Sequence, residues 1–120
     1  MWRTIKLARL PDTVDLYADI VHWIEDKVPS STESLIVGVS GGIDSAVVAS
    51  LCAGTGYPVH LYALPSALNS PKDLRLAKAA AENVGCGLRV INLHPEIKAA
   101  LKNHPGLSAY DRGNMISRIR

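Results

Sequence analysis

The sequence predicts an α/β fold, a parallel sheet with helices on both faces. Two observations carry this. Three short apolar runs, at 34–39, 59–64 and 88–93, alternate with segments of helical periodicity. The first run leads directly into Gly41-Gly42, a glycine pair that opens a helix. Strands alternating with helices pair in parallel through right-handed crossovers.

Each element has its own signal. Asp12 and Thr13 follow Pro11 and mark a helix start. Val14, Tyr17, Val21, Ile24 and Val28 then recur at helical spacing, and Pro29-Ser30-Ser31 ends the helix. Leu35-Ile36-Val37 is short and β-branched, a buried strand within Ser34–Val39. Ser40-Gly41-Gly42 is a tight turn. Ile43 to Ala53 is an apolar helix closed by Gly54-Thr55-Gly56. Val59 to Leu64 is a second strand, ended by Pro65. A polar loop, Ser66 to Ser70, leads to Pro71 in the first turn of a helix that stops at Gly85. Asn69 or Ser70 is placed to cap it. Leu88 to Leu93 is a third strand, Glu96 to Leu101 a short helix, and a last helix begins near Leu107. The order is one mononucleotide-binding half of a doubly wound fold, so the sheet is expected to be incomplete.

The bulk properties exclude several classes. The 120 residues suffice for one domain with a core, and no repeat or linker divides them. A net charge of +2, with acids and bases interspersed, offers no tract for nucleic acid or an anionic membrane. No apolar run is long enough to span a bilayer. The first residues, Met1-Trp2-Arg3-Thr4-Ile5-Lys6, lack a signal peptide's apolar stretch, so a cytoplasmic location is expected. Cys52 and Cys86 have no metal or redox spacing and read as small buried apolar residues. His22, His60, His94 and His104 sit apart, without ligand spacing. Lys72, Lys78, Lys98 and Lys102 read as solvated helix faces, and Asp73 as a first-turn acid that could line a nucleotide site.

The chemistry concentrates in Gly38-Val39-Ser40-Gly41-Gly42-Ile43-Asp44-Ser45. Paired glycines allow a sharp turn and close approach of a ligand to bare backbone. The helix that follows presents unpaired N–H groups and a partial positive charge. Together they make an anion site suited to phosphate. Ser40 and Ser45 add hydroxyls. Asp44 would repel phosphate directly, so it makes sense if Mg²⁺ lies between. The string is neither a Walker A loop nor a dinucleotide Gly-x-Gly-x-x-Gly.

This stretch resembles the PP-loop of the ATP pyrophosphatases, whose fold is Rossmann-like, of the adenine nucleotide alpha hydrolase type. The resemblance implies that residues 38–45 bind ATP, with Asp44 on Mg²⁺, and that ATP is cleaved between its α and β phosphates. Two further segments resemble one member, the NAD synthetases. Leu64-Pro65-Ser66 with Asn69-Ser70, Asp73 and Ala77 is similar to the loop and helix after their second strand. Arg112 to Arg120 is similar to their Gly-Asn-x-x-Ala-Arg-x-Arg stretch, with Ser117 in place of alanine. Arg118 and Arg120 are thereby candidates for the anionic substrate. Two residues apart, they do not share a helix face, so one is expected to meet ligand while the other is structural or solvated.

The resemblance implies ATP-dependent amidation of deamido-NAD by ammonia, in a protein that is a homodimer when complete. Residues 1–120 correspond to the N-terminal part of the family's single domain. The Gly-Thr-x-x-x-Glu-type segment and later lysines of that family have no counterpart here, nor does a domain that would release ammonia from glutamine. The chain alone is therefore expected to be inactive and to associate through its first strand, left as a sheet edge. Another PP-loop adenylating ligase, such as GMP synthetase or a tRNA-modifying enzyme, and a non-catalytic nucleotide-binding remnant remain the alternatives.

Overall fold

A computed structural model describes residues 12–65 and 71–120. The expected caps Asn69 and Ser70, together with Ser66 and Trp2, lie outside the described residues. The order is α1 (Thr13–Lys27), β1 (Leu35–Gly38), α2 (Ile43–Ala53), β2 (Val59–Ala63), α3 (Pro71–Val84), β3 (Leu88–Val90), α4 (His94–Asn103) and α5 (Ala109–Ile119). The described sheet has strand order β1-β2-β3, all parallel. Leu35 pairs with Val59 and Leu61 with Leu88. This is the Rossmann-like α/β fold that the alternation of strands and helices predicts.

The strand period of two decides what is buried. Val37, Val39, Leu61 and Ala63 point to one face, where Ala49 of α2 and Ala77 and Ala81 of α3 close over them. Alanines at these helix positions let the two helices lie close to the strands. Both crossovers run in the same direction across the sheet, so one handedness puts both helices on the same side. Ile36, on the other face of β1, is 71% exposed, and β1 forms an edge of the sheet.

Several boundaries differ from the sequence reading. The third strand ends at Val90, not Leu93. The Asn92 side chain accepts the His94 N–H at 3.0 Å, a local bond that turns the chain and starts α4 two residues before Glu96. The last helix begins at Ala109 rather than near Leu107, because Ser108 caps it, accepting the Asp111 N–H at 3.1 Å. Val28 lies past the end of α1, and Val14, assigned to the apolar stripe, is 72% exposed. Cys52 and Cys86 are half-buried rather than buried. Partial burial pushes the Cys52 thiol up from its ordinary pKa.

Helix α1 is anchored to α2 at one tight point. The Tyr17 hydroxyl donates to the Ser50 carbonyl at 3.0 Å. A Cβ built on Gly54 would collide with that hydroxyl and lie 3.0 Å from Val21 Cγ2. Gly54→Ala is therefore expected to cost about 1–2 kcal/mol through overpacking. A thermal melt checks this, and an unchanged midpoint would refute the seating of α1 on α2.

Candidate functional site

The site begins where β1 runs out. Val39 is buried and still bonded to the sheet, its N–H donating to the Tyr62 carbonyl at 2.8 Å. The next residue, Ser40, is exposed at the carboxyl end of the strand. There the backbone must reverse within two residues to enter α2. Gly41 does this with φ +95°, a region side chains rarely occupy. A Cβ on Gly41 would collide with the Asp73 carbonyl oxygen and lie 2.9 Å from the Asp73 Cα. The turn is thus pressed against the first turn of α3. Gly42 is extended, with φ −81°, and stands at the N-cap position of α2.

A small hydrogen-bond ring sets the loop. The Gly42 N–H donates to Ser40 Oγ and the Ser45 hydroxyl donates to the Gly42 carbonyl, each at 3.2 Å. Ser45 Oγ accepts from the Ser40 N–H at 3.2 Å and lies 3.2 Å from Ser40 Oγ. The two hydroxyls expected to reach a ligand therefore also hold the turn. Gly42 brings no side-chain cap, so the N–H groups of Ile43, Asp44 and Ser45 at the start of α2 are left to another acceptor. Asp44 sits in that first turn, exposed. Its carboxylate is stabilised there by the helix dipole and is accessible to a cation. Among the described residues no group of three or more His, Cys, Asp or Glu side chains could hold a metal.

The two arginines separate. The Arg120 Nε–H donates to the Leu64 carbonyl at 3.0 Å, across 56 residues of sequence. This bond brings the end of α5 over the carboxyl end of β2. Arg120 there lines a recess of about 190 Å³ with Gly38, Val39, Ser40, Tyr62 and Leu64. Arg118 instead faces a different recess, beside Leu107, Asp111 and Met115. Gly38 offers open space, since a Cβ there would meet nothing within 4 Å. Sequence reasoning named Asp73 as a possible lining residue, and it does border Ser40 and Arg120. Tyr62 and the Leu64 carbonyl carried no signal, because their role depends on how α5 packs.

A parallel sheet whose first strand passes through paired glycines into an uncapped helix defines a Rossmann-like protein with an anion-ready loop. Comparison with known proteins narrows this: a family model described as NAD synthase matches residues 16–120, and the chain belongs to that family. The NH(3)-dependent NAD(+) synthetase of Mannheimia succiniciproducens is 34% identical over 114 residues, which cover 87% of this chain and 46% of the relative. The structure of an NMN synthetase from Francisella tularensis superposes with a TM-score of 0.84 at 30% identity, covering 92% of this chain and 48% of the other. An NH3-dependent NAD synthetase from Campylobacter jejuni gives a TM-score of 0.81 at 26% identity, covering 92% and 49%. The chain thus spans about half the length of the relatives it matches. Membership sets aside the GMP synthetase and tRNA-modifying alternatives.

Proposed function

We propose that residues 1–120 form the N-terminal, ATP-binding part of a ligase domain that amidates deamido-NAD with ammonia. The observation that supports this most is the loop itself, a Gly41 turn at positive φ feeding an N-terminus without a side-chain cap. In this reading Gly38 to Ser45 hold the pyrophosphate of ATP. The substrate's nicotinate carboxylate attacks the α-phosphate, forming a mixed anhydride with AMP while pyrophosphate leaves. Ammonia then adds to the acyl carbon, AMP departs, and the amide remains. Both steps are dominated by charge on oxygen, so backbone N–H groups suffice where a protein nucleophile is not needed. Mg²⁺, held by Asp44, would neutralise phosphate charge. The native assembly is a homodimer in the cytoplasm. No helix among the described residues is long and apolar enough to cross a membrane.

Calorimetric titration with ATP and with pyrophosphate, each with and without Mg²⁺, tests the site. Mg²⁺-dependent ATP binding that pyrophosphate competes away is expected. Absence of ATP binding under every condition would refute the assignment. A second reading, supported by the superposition on an NMN synthetase, has the mononucleotide as product. Both readings share the ATP chemistry, and product analysis with the mono- and dinucleotide acids separates them.

Arg120 is the arginine assigned to the anionic substrate, because it alone of the pair borders the recess beside Ser40. In an enzyme of the full family length, Arg120→Lys is expected to raise the acid substrate's KM by about tenfold, since lysine lacks the planar fork. The KM for ATP should move far less, and Arg118→Lys should leave both near the parent values. Equal effects of the two substitutions would count against the assignment.

A further inference from the structure

Asp73 is an acid that the proposed chemistry does not use. It stands in the first turn of α3, half-buried, and borders Ser40 and Arg120. Its backbone presses on Gly41. ATP and the acid substrate are both anionic, so a carboxylate at their site opposes binding unless a cation answers it. Asp44 is answered by Mg²⁺ in the reading above. Asp73 lies on another helix and calls for a cation of its own.

The cleft that Asp73 lines supplies one. It runs between the end of β2 and the first turns of α3, with a volume of about 20 Å³. That is room for about one water. Val39, Ala63, Leu64 and Leu74 make its walls mostly apolar, and among the described residues Asp73 and Arg120 are its only ionic lining. Opposite charges sharing so small and apolar a space attract more strongly than they would on an open surface. Arg120 is itself exposed, and the bond from its Nε–H to the Leu64 carbonyl fixes one point of its planar fork. A long, flexible stem with one fixed point leaves the rest of the fork to be directed.

We infer that Asp73 is the positioning residue of Arg120: its carboxylate draws the guanidinium across the cleft and, with the Leu64 carbonyl, holds it beside Ser40, where the acid substrate arrives. This rests on the assignment of Arg120 to that substrate. Asp73 itself touches no reacting atom. Two simpler roles predict different results. An acid stabilised only by the dipole of α3 would leave Arg120 as mobile with it as without it. An acid that merely faces the ligands would weaken their binding, so its removal would strengthen it.

NMR of the 120-residue chain with isotope-labelled arginine follows the Arg120 Nε–H directly, with Arg120→Lys serving to assign its resonance. In the parent this proton is expected to exchange slowly with water. Asp73→Asn keeps the shape and removes the charge, and it should speed exchange by about tenfold, the scale of one lost charge-assisted contact. Asp73→Glu should restore most of the protection. Deamido-NAD should shift the resonance in the parent and bind Asp73→Asn about tenfold more weakly. Exchange left unchanged by Asp73→Asn would overturn the positioning role while leaving the assignment of Arg120 intact. Tighter binding of deamido-NAD by Asp73→Asn would overturn it as well, since that is the result of an acid that only repels. A parent in which Asp73 protects Arg120 but deamido-NAD never moves the resonance would overturn the substrate assignment and uphold the positioning role. If Asp73→Asn does not fold, Asp73→Ser makes the same comparison, and unchanged exchange again refutes the inference.

Discussion

Asp44→Ala is expected to reduce Mg²⁺-dependent turnover by about 10²–10³-fold in an enzyme of the full family length, the scale on which removal of a single charge-stabilising group acts. The argument is electrostatic. Asp44 is an exposed carboxylate in the first turn of α2, beside N–H groups that no side chain caps. Without a cation, that carboxylate opposes a polyphosphate. With Mg²⁺ between them, the same charge becomes a ligand. The two situations predict opposite signs. In EDTA, Asp44→Ala should bind ATP as well as the parent or better, and with Mg²⁺ it should bind far more weakly. Asp44→Asn should behave like the alanine variant, since it keeps the shape and removes the charge. Folding should change little, by about 0.3–1 kcal/mol from the lost dipole interaction. ATP titrations of both variants in EDTA and in Mg²⁺ decide the matter. A variant that retains the parent's Mg²⁺ dependence would remove Asp44 from the site.

Gly41→Ala is expected to be the most damaging single change in the loop for stability, at about 3 kcal/mol or more. Two costs combine. At φ +95° an L-residue is strained by about 1–2 kcal/mol. The new Cβ also meets the Asp73 backbone, which cannot rotate away as a flexible side chain would. Either the turn or the start of α3 must shift. The thermal midpoint should fall by about 10 °C, and ATP binding should fall with it. Gly38→Ala and Gly42→Ala are the controls. Gly38 has open space around its missing Cβ, and Gly42 has φ −81° with Ser40 Oγ at 3.4 Å. Both should fold nearly as the parent does, so any loss of ATP binding in them reports ligand contact. Equal midpoints for all three alanine variants would show that Gly41 is not held as described.

These contrasts mark how far local pattern reaches. The sequence treats Gly41 and Gly42 alike, as two residues of one turn. The structure makes Gly41 the conformational requirement and Gly42 the cap that leaves amides open. The difference comes from α3, whose first turn presses on Gly41 from 32 residues away in the chain, at Asp73. Arg118 and Arg120 behave in the same way. Helical periodicity says that they point apart, and only the bond from Arg120 to the Leu64 carbonyl says which one meets the loop.

The sequence by itself determined the order of elements, the α/β class, and the position of the phosphate loop. These follow from periods of two and 3.6 residues, from glycine and proline at the breaks, and from a motif read within eight adjacent residues. Boundaries set by one side chain, such as the Asn92 turn and the Ser108 cap, were legible only in part, because polar caps compete with the strand or helix that precedes them. The edge position of β1 was expected from the sequence; the tertiary structure alone decided which sheet face α2 and α3 cover and that Trp23 of α1 faces outward. The apolar stripe of α1 was assigned as Val14, Tyr17, Val21, Ile24 and Val28; Val21 is buried and Tyr17 bonds to α2, but Val14, one end of the stripe, is 72% exposed. Amphipathic spacing fixes which residues share a helix face. Which face is buried depends on the partner that arrives, here α2 with Ser50 and Gly54, and that contact is not written in α1.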